Sequence, residues 1–253
     1  MKIAYWGILA VLIVAAFLIF KPSAPKNINS VLPSPTPQAL EKFSVEYKDQ
    51  KYFVNWIEVS DISKISLHPN FEQKQTAKAA KSEKSCQSLV NAGFYTTDNK
   101  PVGLFIQNGG MLRDRNINSL FNGIFGITFV DKAFIGTKYP VGSTKYAIQS
   151  GPILISESKE LALSIKNDEN ARRVAVALTP SGHIVFVVIY GPGAYQGPML
   201  EDLPGVLKAL ESQIDINFSD AINLDGGSAS AFITDGVSLE ELSPVGSLFC
   251  ISK

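Results

Sequence analysis

The sequence predicts an α+β fold: a single strand-rich domain with one or two helices packed on a mixed or antiparallel sheet, preceded by an N-terminal transmembrane helix. The chain has 253 residues, 45% of them hydrophobic, which is enough to bury one substantial core. From residue 43 onward, short runs of β-branched and aromatic residues alternate with turn signals, a pattern typical of strands. Only the stretch 202–214 has apolar residues at a convincing helical spacing.

The N-terminal segment predicts export. Residues 3–20 carry no charge, and as a helix they would span about 27 Å, close to the thickness of a bilayer core. No small-residue cleavage site stands at the end of this run, which favours an uncleaved signal anchor at 1–20, although a cleaved signal peptide and a secreted form stay open. Residues 21–42 are rich in proline and predict an extended linker. We therefore expect a membrane-anchored protein whose domain, residues 43–253, is extracytoplasmic.

Composition argues against several kinds of partner and site. The formal net charge is zero, so nothing points to nucleic acid or to a strongly acidic partner. Two cysteines and two widely separated histidines argue against a Cys/His zinc site, and no metal or cofactor is expected. Cys86 and Cys250 both fall in the exported part, where a disulfide and a pair of buried free thiols are both compatible with the sequence.

The first half of the domain predicts strands joined by turns. In order, strands are expected at 43–47, 52–59, 62–67, 88–90 and 101–106, followed by a hairpin at 123–130 and 133–135. The polar stretch 71–85 is predicted to be a surface helix. The apolar run 146–155 contains Gly151-Pro152, and because proline cannot donate to a ladder, this strand is expected to be bulged or broken there. Such a break costs stability, so a functional reason for it is expected.

The second half predicts two long strands, a glycine-rich loop and the main helix. Strands at 174–178 and 184–190 precede the loop 191–197. Asp202 is the expected N-cap of the following helix, with Pro204 in its first turn. The glycine spacing does not match G-x-G-x-x-G and no βαβ repeat surrounds it, which argues against a dinucleotide site. Backbone amides near the helix N-terminus could still hold an anion.

The stretch Ala221-Ile-Asn-Leu-Asp-Gly-Gly-Ser-Ala-Ser230 is the strongest candidate for a site. If it begins as a strand, Asn223 and Asp225 share one face, because side chains alternate. Gly226 and Gly227 then let the backbone approach a ligand closely. The alternative is an ordinary hairpin turn, for which Asp-Gly is a strong signal.

Three other polar motifs stand at predicted strand ends: Asn91-Ala92-Gly93-Phe94, Gln149-Ser150-Gly151-Pro152 and Arg172-Arg173. Together with the 221–230 stretch they supply amides, two guanidinium groups, a carboxylate and open backbone. Arginine binds phosphate oxygens with two hydrogen bonds, and amide and carboxylate groups bind hydroxyls. This set therefore suits a ligand that combines a sugar with a phosphate.

In the order and type of these motifs the sequence resembles the phosphodiester glycosidase family, which includes bacterial exported proteins. The family motifs are N-G-G-F-F, Q/T-S/T-G-P-x-L, an arginine-led strand and N-L-D-G-G-G-S-S. The chain departs from them at Ala92, which replaces a glycine, and at Ser228-Ala229, where Gly-Ser is commoner. The resemblance covers roughly residue 43 to the C-terminus.

The resemblance implies hydrolysis of a sugar-1-phosphodiester, with release of the sugar from a phosphorylated partner. Asp225 is the expected acid/base or sugar-orienting group, and Arg173 a second catalytic residue that neutralises phosphate charge. The expected substrate-binding residues are Asn91, Gly93, Phe94, Gln149, Ser150, Gly151, Arg172, Asn223, Gly226 and Gly227. Glycosidases ordinarily need two carboxylates, and the candidates for the second are Asp98, Asp114 and Asp168.

Two other functions remain open at this point. One is a non-catalytic envelope glycan-binding domain that uses the same cleft. The other is a metal-dependent phosphodiesterase with Asp225 as a metal ligand. Catalytic turnover and its response to a chelator would separate the three.

Overall fold

Strands account for most of the regular structure in the computed structural model, which describes residues 43–253. In chain order the strands are β1 (Ser44–Tyr47), β2 (Gln50–Val59), β3 (Ile65–Pro69), β4 (Ser88–Asn91), β5 (Phe105–Gln107), β6 (Gly110–Arg113), β7 (Gly123–Thr128), β8 (Ala133–Gly136), β9 (Thr144–Ser150), β10 (Ile153–Ser156), β11 (Lys159–Glu160), β12 (Arg173–Leu178), β13 (Ile184–Tyr190), β14 (Asp220–Asn223), β15 (Phe232–Ile233), β16 (Ser238–Leu239) and β17 (Ser247–Ile251). The helices are α1 (Ala77–Glu83) and α2 (Leu203–Ile214).

The N-terminal predictions fall outside this description. The proposed anchor at 1–20 and the linker at 21–42 lie outside the described residues. Between residues 43 and 253, neither helix has the length and apolar content that a membrane span requires.

The strands form three sheets. The first has the order β1-β2-β13-β12-β14-β10-β11, the second β16-β15-β4-β17-β3, and the third β6-β5-β9-β7-β8. Every strand pairing among the described residues is antiparallel. The strand-rich α+β prediction with helices on sheets is confirmed, and its choice between mixed and antiparallel pairing resolves to antiparallel.

One apolar core is shared by all three sheets. Alternate residues of β13 point to opposite faces, and Phe186 faces this core together with Phe125 of β7 and Phe249 of β17. The ring of Phe186 lies 6.4 Å from that of Phe125 and 5.3 Å from that of Phe249, while Phe125 and Phe249 are 5.4 Å apart, measured between centroids. One phenylalanine from each sheet thus meets the other two, and most contacts are edge to face, a favoured geometry for aromatic rings.

Helix α2 covers the outer face of the first sheet. Its buried residues Val206, Leu207 and Leu210 pack in a second core with alternate residues of β12 and β13. Asp202 occupies the N-cap position and Pro204 lies in the first turn, as predicted, but the Asp202 side chain makes no hydrogen bond to the helix amides. The Asp202 carboxylate instead lies 2.6 Å from the ammonium group of Lys48, because a charged partner competes with the helix amides.

Three local predictions need correction. The helix expected at 71–85 is only Ala77–Glu83, capped by the Thr76 hydroxyl, which accepts a hydrogen bond from the Ala79 amide at 3.2 Å. The strand expected at 101–106 is confined to Phe105–Gln107. The strand expected at 62–67 begins as a 3-10 turn and becomes β3 at Ile65.

The expected break at Gly151-Pro152 is confirmed, and it has a structural consequence. Strand β9 ends at Ser150 in the third sheet, and β10 begins at Ile153 in the first, so the chain changes sheets at this point. Gly151 has a φ of 150°, and a Cβ placed on it would lie 2.3 Å from the carbonyl oxygen of Leu120. Glycine is therefore required for the crossing.

The two cysteines form a disulfide. Cys86, just before β4, is bonded to Cys250 of β17, and their Cα atoms are 5.4 Å apart. Strands β4 and β17 are neighbours, with Leu89 opposite Cys250. The sequence left open a disulfide or two buried free thiols, and the structure contains the disulfide.

We predict that replacing both cysteines by serine lowers the free energy of unfolding by about 2–4 kcal/mol, because the bridge restricts the unfolded chain. Urea denaturation of the oxidised protein, the reduced protein and the Cys86→Ser/Cys250→Ser variant measures this. The reduced protein should match the variant. Equal stability in all three samples would contradict the prediction.

Candidate active site

The four sequence motifs meet around the loop that follows β14, residues 223–230, which we name the Asp225 loop. Its main chain is tied to two other motifs. The amide of Asp225 donates to the carbonyl of Ala92 at 3.1 Å, and the amide of Gly227 donates to the carbonyl of Arg172 at 2.8 Å. The start of β12 and the end of β4 therefore hold this loop from two sides.

The side chain of Asn91 holds the Asp225 loop in place through hydrogen bonds. Its side chain is 1% exposed. The amide nitrogen donates to the carbonyl of Asp225 at 2.8 Å, and the amide oxygen accepts from the amide of Ala231 at 2.9 Å. One buried side chain thus bonds the loop at Asp225 and the residue that follows the loop, Ala231, and these bonds are with main chain.

Gly93 and Phe94 connect this motif to the third sheet. A Cβ placed on Gly93 would lie 3.3 Å from the carbonyl oxygen of Gln149, so a side chain there would be tightly packed. Phe94 is partly exposed, and its ring lies 4.6 Å from the ring of Phe121. The 91–94 and 149–152 motifs are therefore neighbours.

Gln149 is fully engaged with the main chain of nearby loops. Its amide oxygen accepts two hydrogen bonds, at 3.1 and 2.9 Å, and its amide nitrogen donates two, at 2.6 and 2.7 Å. The four partner groups belong to Leu104, Asn116 and Phe121. These contacts fix the loop that precedes β7, and a role in substrate binding stays a prediction.

Ser150 and Gly151 hold Asn223. The Ser150 hydroxyl donates to the carbonyl of Asn223 at 2.6 Å, and the Asn223 side chain donates to the carbonyl of Gly151 at 3.0 Å. Asn223 is 2% exposed, and its side-chain oxygen has no hydrogen-bond partner among the described residues. A buried acceptor without a partner is costly, so a donor from a bound molecule or water would stabilise it.

Arg172 lies below the Asp225 loop and is 1% exposed. Its Nε donates to the hydroxyl of Ser230 at 2.6 Å, and its other recorded bonds go to main-chain carbonyls of Ala194, Ser230 and Glu240. All four acceptors are neutral. The positive charge of Arg172 is thus buried and hydrogen-bonded without a bonded carboxylate.

Arg173 differs because it has a carboxylate partner. Its Nη2 lies 3.1 Å from a carboxylate oxygen of Asp168, and its Nε donates to the carbonyl of Pro198 at 3.0 Å. A Cβ placed on Gly226 would lie 3.8 Å from Cδ of Arg173, so the arginine stem runs beside the loop. Burial lowers the pKa of both guanidinium groups, the Asp168 charge opposing this at Arg173.

The Asp225 carboxyl is the group at this site whose protonation is most altered. It is partly exposed, and one oxygen accepts a hydrogen bond from the amide of Gly226 at 2.9 Å. Burial raises its pKa from 3.8 to about 8, because it disfavours the charged form more than the Gly226 bond favours it. Most of the Asp225 side chains are therefore protonated at neutral pH.

Two residues at the site were not assigned from the sequence. The phenol of Tyr95 donates to the carbonyl of Pro244, and burial, followed by the nearby Asp225 charge, raises its pKa. Ser230 is fully buried and bonds both Arg172 and the carbonyl of Gly227. Tyr95 directly follows the 91–94 motif and Ser230 ends the 221–230 stretch, so their position next to or within these motifs was the available signal.

The three candidates for a second carboxylate, Asp98, Asp114 and Asp168, each have different partners in the structure. Asp168 pairs with Arg173, while the carboxylate of Asp114 accepts from the neighbouring amide of Arg115. Asp98 is exposed, and hydrogen bonds from Thr96 and Lys100 lower its pKa to about 2. Among residues 43–253, none of the three hydrogen-bonds to Asp225, and no group of three His, Cys, Asp or Glu side chains is arranged to hold a metal ion.

The fold is shared with solved structures of low sequence identity. The catalytic domain of zebrafish N-acetylglucosamine-1-phosphodiester alpha-N-acetylglucosaminidase, auto-inhibited by its pro-peptide, has a TM-score of 0.61 at 15% identity, over 84% of this chain and 87% of that one. A Synechocystis protein has a TM-score of 0.60 at 15% identity, over 83% of this chain but 61% of that one. A Burkholderia pseudomallei protein described as exported has a TM-score of 0.52 at 13% identity, over 80% of this chain and 74% of that one.

Sequence comparison agrees with the structural likeness. No curated protein matches the chain significantly. A family model described as phosphodiester glycosidase matches residues 84–250, about two thirds of the sequence and all of the site residues described above. The chain therefore belongs to the phosphodiester glycosidase family.

Proposed function

We propose that this protein is an exported hydrolase that cleaves a sugar-1-phosphodiester on a glycan or glycoconjugate. The observation that carries the proposal is the position of the Asp225 carboxyl in the loop where all four motifs meet, where burial raises its pKa to about 8. Family membership supports a hydrolase of this type, and the zebrafish protein with the same fold is named for hydrolysis of an N-acetylglucosamine-1-phosphodiester.

A protonated carboxyl suits the departure of a phosphate from C1 of a sugar. In the proposed reaction, water attacks C1 while the bond between C1 and the phosphate oxygen breaks. Asp225 donates its proton to that departing oxygen, as a general acid does. The attacking water releases one of its protons to solvent, and Asp225 takes up a proton from solvent before the next turnover. The protein thereby releases the sugar and a phosphomonoester.

The positive charges of the two arginines would stabilise the negative charge of the phosphate. Among residues 43–253, Arg172 hydrogen-bonds only to neutral oxygens, so no bonded carboxylate in this part of the chain cancels its charge. The charge of Arg173 is partly offset by Asp168, and its side chain runs beside Gly226. A positive field that is already in place stabilises negative charge as it develops on the leaving group.

The unpartnered oxygen of Asn223 supports a hydroxylated ligand. This oxygen can only accept a hydrogen bond, and its residue precedes Asp225 by two positions. A sugar hydroxyl, or a water that bridges to one, would supply the missing donor. The side chains of Asn91, Gln149 and Ser150 would then act by holding the loop that presents Asp225 and Asn223.

Location outside the cytoplasm is part of the proposal. The uncharged N-terminal run and the proline-rich segment after it predict an anchored, exported domain. The disulfide is typical of oxidising compartments. The similar Burkholderia pseudomallei protein is described as exported.

The general-acid role predicts a pH profile. With the full-length protein and a panel of sugar-1-phosphodiesters that includes N-acetylglucosamine, kcat/KM should fall as pH rises through about 8, because Asp225 loses the proton that it must donate. Asp225→Asn should lower kcat by about 10²–10⁴-fold. Full activity of both Asp225→Asn and Arg173→Ala would refute the site assignment.

Thermal unfolding of the same variant provides the control for folding. The folded protein keeps the Asp225 proton up to about pH 8, whereas the unfolded chain releases it near 3.8, so wild-type stability decreases between these pH values. Asparagine has no such proton. The melting temperature of Asp225→Asn should therefore exceed that of the wild type by a margin that widens from about pH 4 to about pH 8.

Isotope labelling identifies the bond that breaks. In ¹⁸O-water, we predict that the label enters the released sugar, because water attacks C1. Label in the phosphate, together with activity lost on chelation, would indicate a metal-dependent phosphodiesterase. Tight sugar binding without turnover would indicate a glycan-binding domain.

A further inference from the structure

One end of the third sheet exposes apolar side chains. Among residues 43–253, eight large hydrophobic side chains are exposed, and four of them lie at this end: Met111, Phe129, Val130 and Val141, with exposed fractions of 51%, 56%, 82% and 80%. Single exposed apolar residues are normal on a protein surface, whereas a cluster of them marks a place of contact. We name these four residues the apolar tips, because they lie in or beside three turns that connect strands of the third sheet.

Hydrogen bonds hold the three turns side by side. The amide of Phe129 donates to the carbonyl of Ser143 at 2.9 Å, and the amide of Gly109 donates to the carbonyl of Lys145 at 2.9 Å. A Cβ placed on Gly109 would lie 2.8 Å from Cζ of Phe129, so the ring of Phe129 lies against the turn between β5 and β6. The apolar tips therefore form one surface.

Two of these turns are also closed by bonds of their own. The main-chain amide of Lys132 donates to the hydroxyl of Thr128 at 3.1 Å, and the amide of Asp131 donates to the carbonyl of Thr128 at 3.1 Å. In the turn before β9, the amide of Ser143 donates to the carbonyl of Pro140 at 3.3 Å. A surface formed in advance loses little freedom when it binds.

The charge of this region favours an anionic partner. Residues 128–145 contain three lysines and one aspartate, a net charge of +2, and the segment 107–111 carries no charge. Lys132 is exposed two positions from Val130. Anionic headgroups attract such a region, and apolar side chains beside it can enter the layer beneath the headgroups.

The predicted N-terminal segments would keep this surface within reach of a bilayer. The predicted linker, residues 21–42, has 22 residues, which would span about 70 Å at about 3.1 Å per residue if fully extended. A domain connected in this way to the predicted anchor at 1–20 has enough chain to bring the end of its third sheet to the membrane.

From these observations we propose that the apolar tips dock the domain onto an anionic lipid bilayer. Side chains on separate turns can each enter a fluid headgroup layer, whereas a rigid protein partner must match all three turns at once. The proposal rests on the proposed membrane location and is independent of the proposed reaction.

Docking at this end would hold the candidate active site away from the bilayer. Strand β9 begins at Thr144, beside the apolar tips, and ends at Ser150, whose hydroxyl bonds the carbonyl of Asn223. Seven strand residues span about 20 Å. The Asp225 loop, which begins at Asn223, would therefore be separated from the docked tips by about the length of this strand.

Full-length protein with one fluorescent label tests the docking surface. Cys86 and Cys250 are bonded to each other, so a thiol-reactive dye labels only an introduced cysteine. The test position is Val130→Cys and the control is Ile117→Cys. Ile117 is 97% exposed and lies in the loop before β7, next to the residue whose amide bonds the Gln149 side chain at the opposite end of β9.

Each labelled protein is reconstituted into vesicles of phosphatidylcholine and phosphatidylglycerol that contain a nitroxide-labelled lipid. Fluorescence from the label at position 130 should fall about twofold, because docked side chains lie about 5–10 Å inside the headgroup layer. The label at position 117 should keep its intensity. Vesicles without phosphatidylglycerol should quench the label at position 130 less, because the attraction of lysine to anionic lipid is lost.

Matched double variants test the apolar contribution. In protein labelled through Val141→Cys, Phe129→Ser/Val130→Ser should remove most of the quenching. The matched variant Ile117→Ser/Leu242→Ser changes side chains that are 97% and 64% exposed elsewhere on the domain, and it should leave the quenching unchanged. Equal melting temperatures of the two variants would show that both are folded.

Several results would overturn the docking surface. These are equal quenching at positions 117 and 130, no quenching at either position, equal quenching with and without phosphatidylglycerol, and failure of the protein to float with the vesicles. If the label at position 130 is instead shielded in detergent without lipid, increasingly so at higher protein concentration, the apolar tips join two copies of the chain and the proposal is wrong. All of these readouts are independent of phosphodiester cleavage, so failure of the proposed reaction would leave them unaffected.

Discussion

The contact of Phe125, Phe186 and Phe249 is the constraint on which the rest of the structure depends. Each ring comes from a different sheet, and each sheet can bury its inner face only by packing against the other two. Close packing of such a core leaves little freedom for the sheets to shift. The ends of β4, β9, β12 and β14 are thereby fixed relative to one another, and the Asp225 loop lies where these ends meet.

Much of the fold could be predicted from local sequence, because its signals are local. The alternation in β2, the helical spacing of α2 and the break at Gly151-Pro152 each depend on a few neighbouring residues. The pairing of β4 with β17 could not be predicted, since more than a hundred residues separate these strands. The length of α1 was also missed, because its polar residues allow a helix without showing where packing against the sheet begins.

The position of the candidate site was easier to predict than the hydrogen-bond partners of its side chains. The motif order indicated Asn91, Gln149, Ser150 and Asp225 as neighbours, but it could not show that the first three bond to main chain. A buried amide or hydroxyl must find partners, and those partners come from loops distant in sequence. Among the described residues, only the amide of Gly226 donates a hydrogen bond to the Asp225 carboxyl group, which explains why burial dominates its pKa. The excess of burial over hydrogen bonding at this carboxyl group arises only in the folded chain, so the residue type alone did not reveal the raised pKa.

The Cys86–Cys250 bridge also makes most of the domain a closed covalent ring. Every residue of the Asp225 loop, both arginines and the turn 95–101 lie inside this ring. A protease that cuts one exposed connection, such as the loop before β7, would therefore leave two pieces that are still joined and still held by their shared core. In the exported location proposed above, a nick by a protease would therefore be damage that the proposed enzyme could survive.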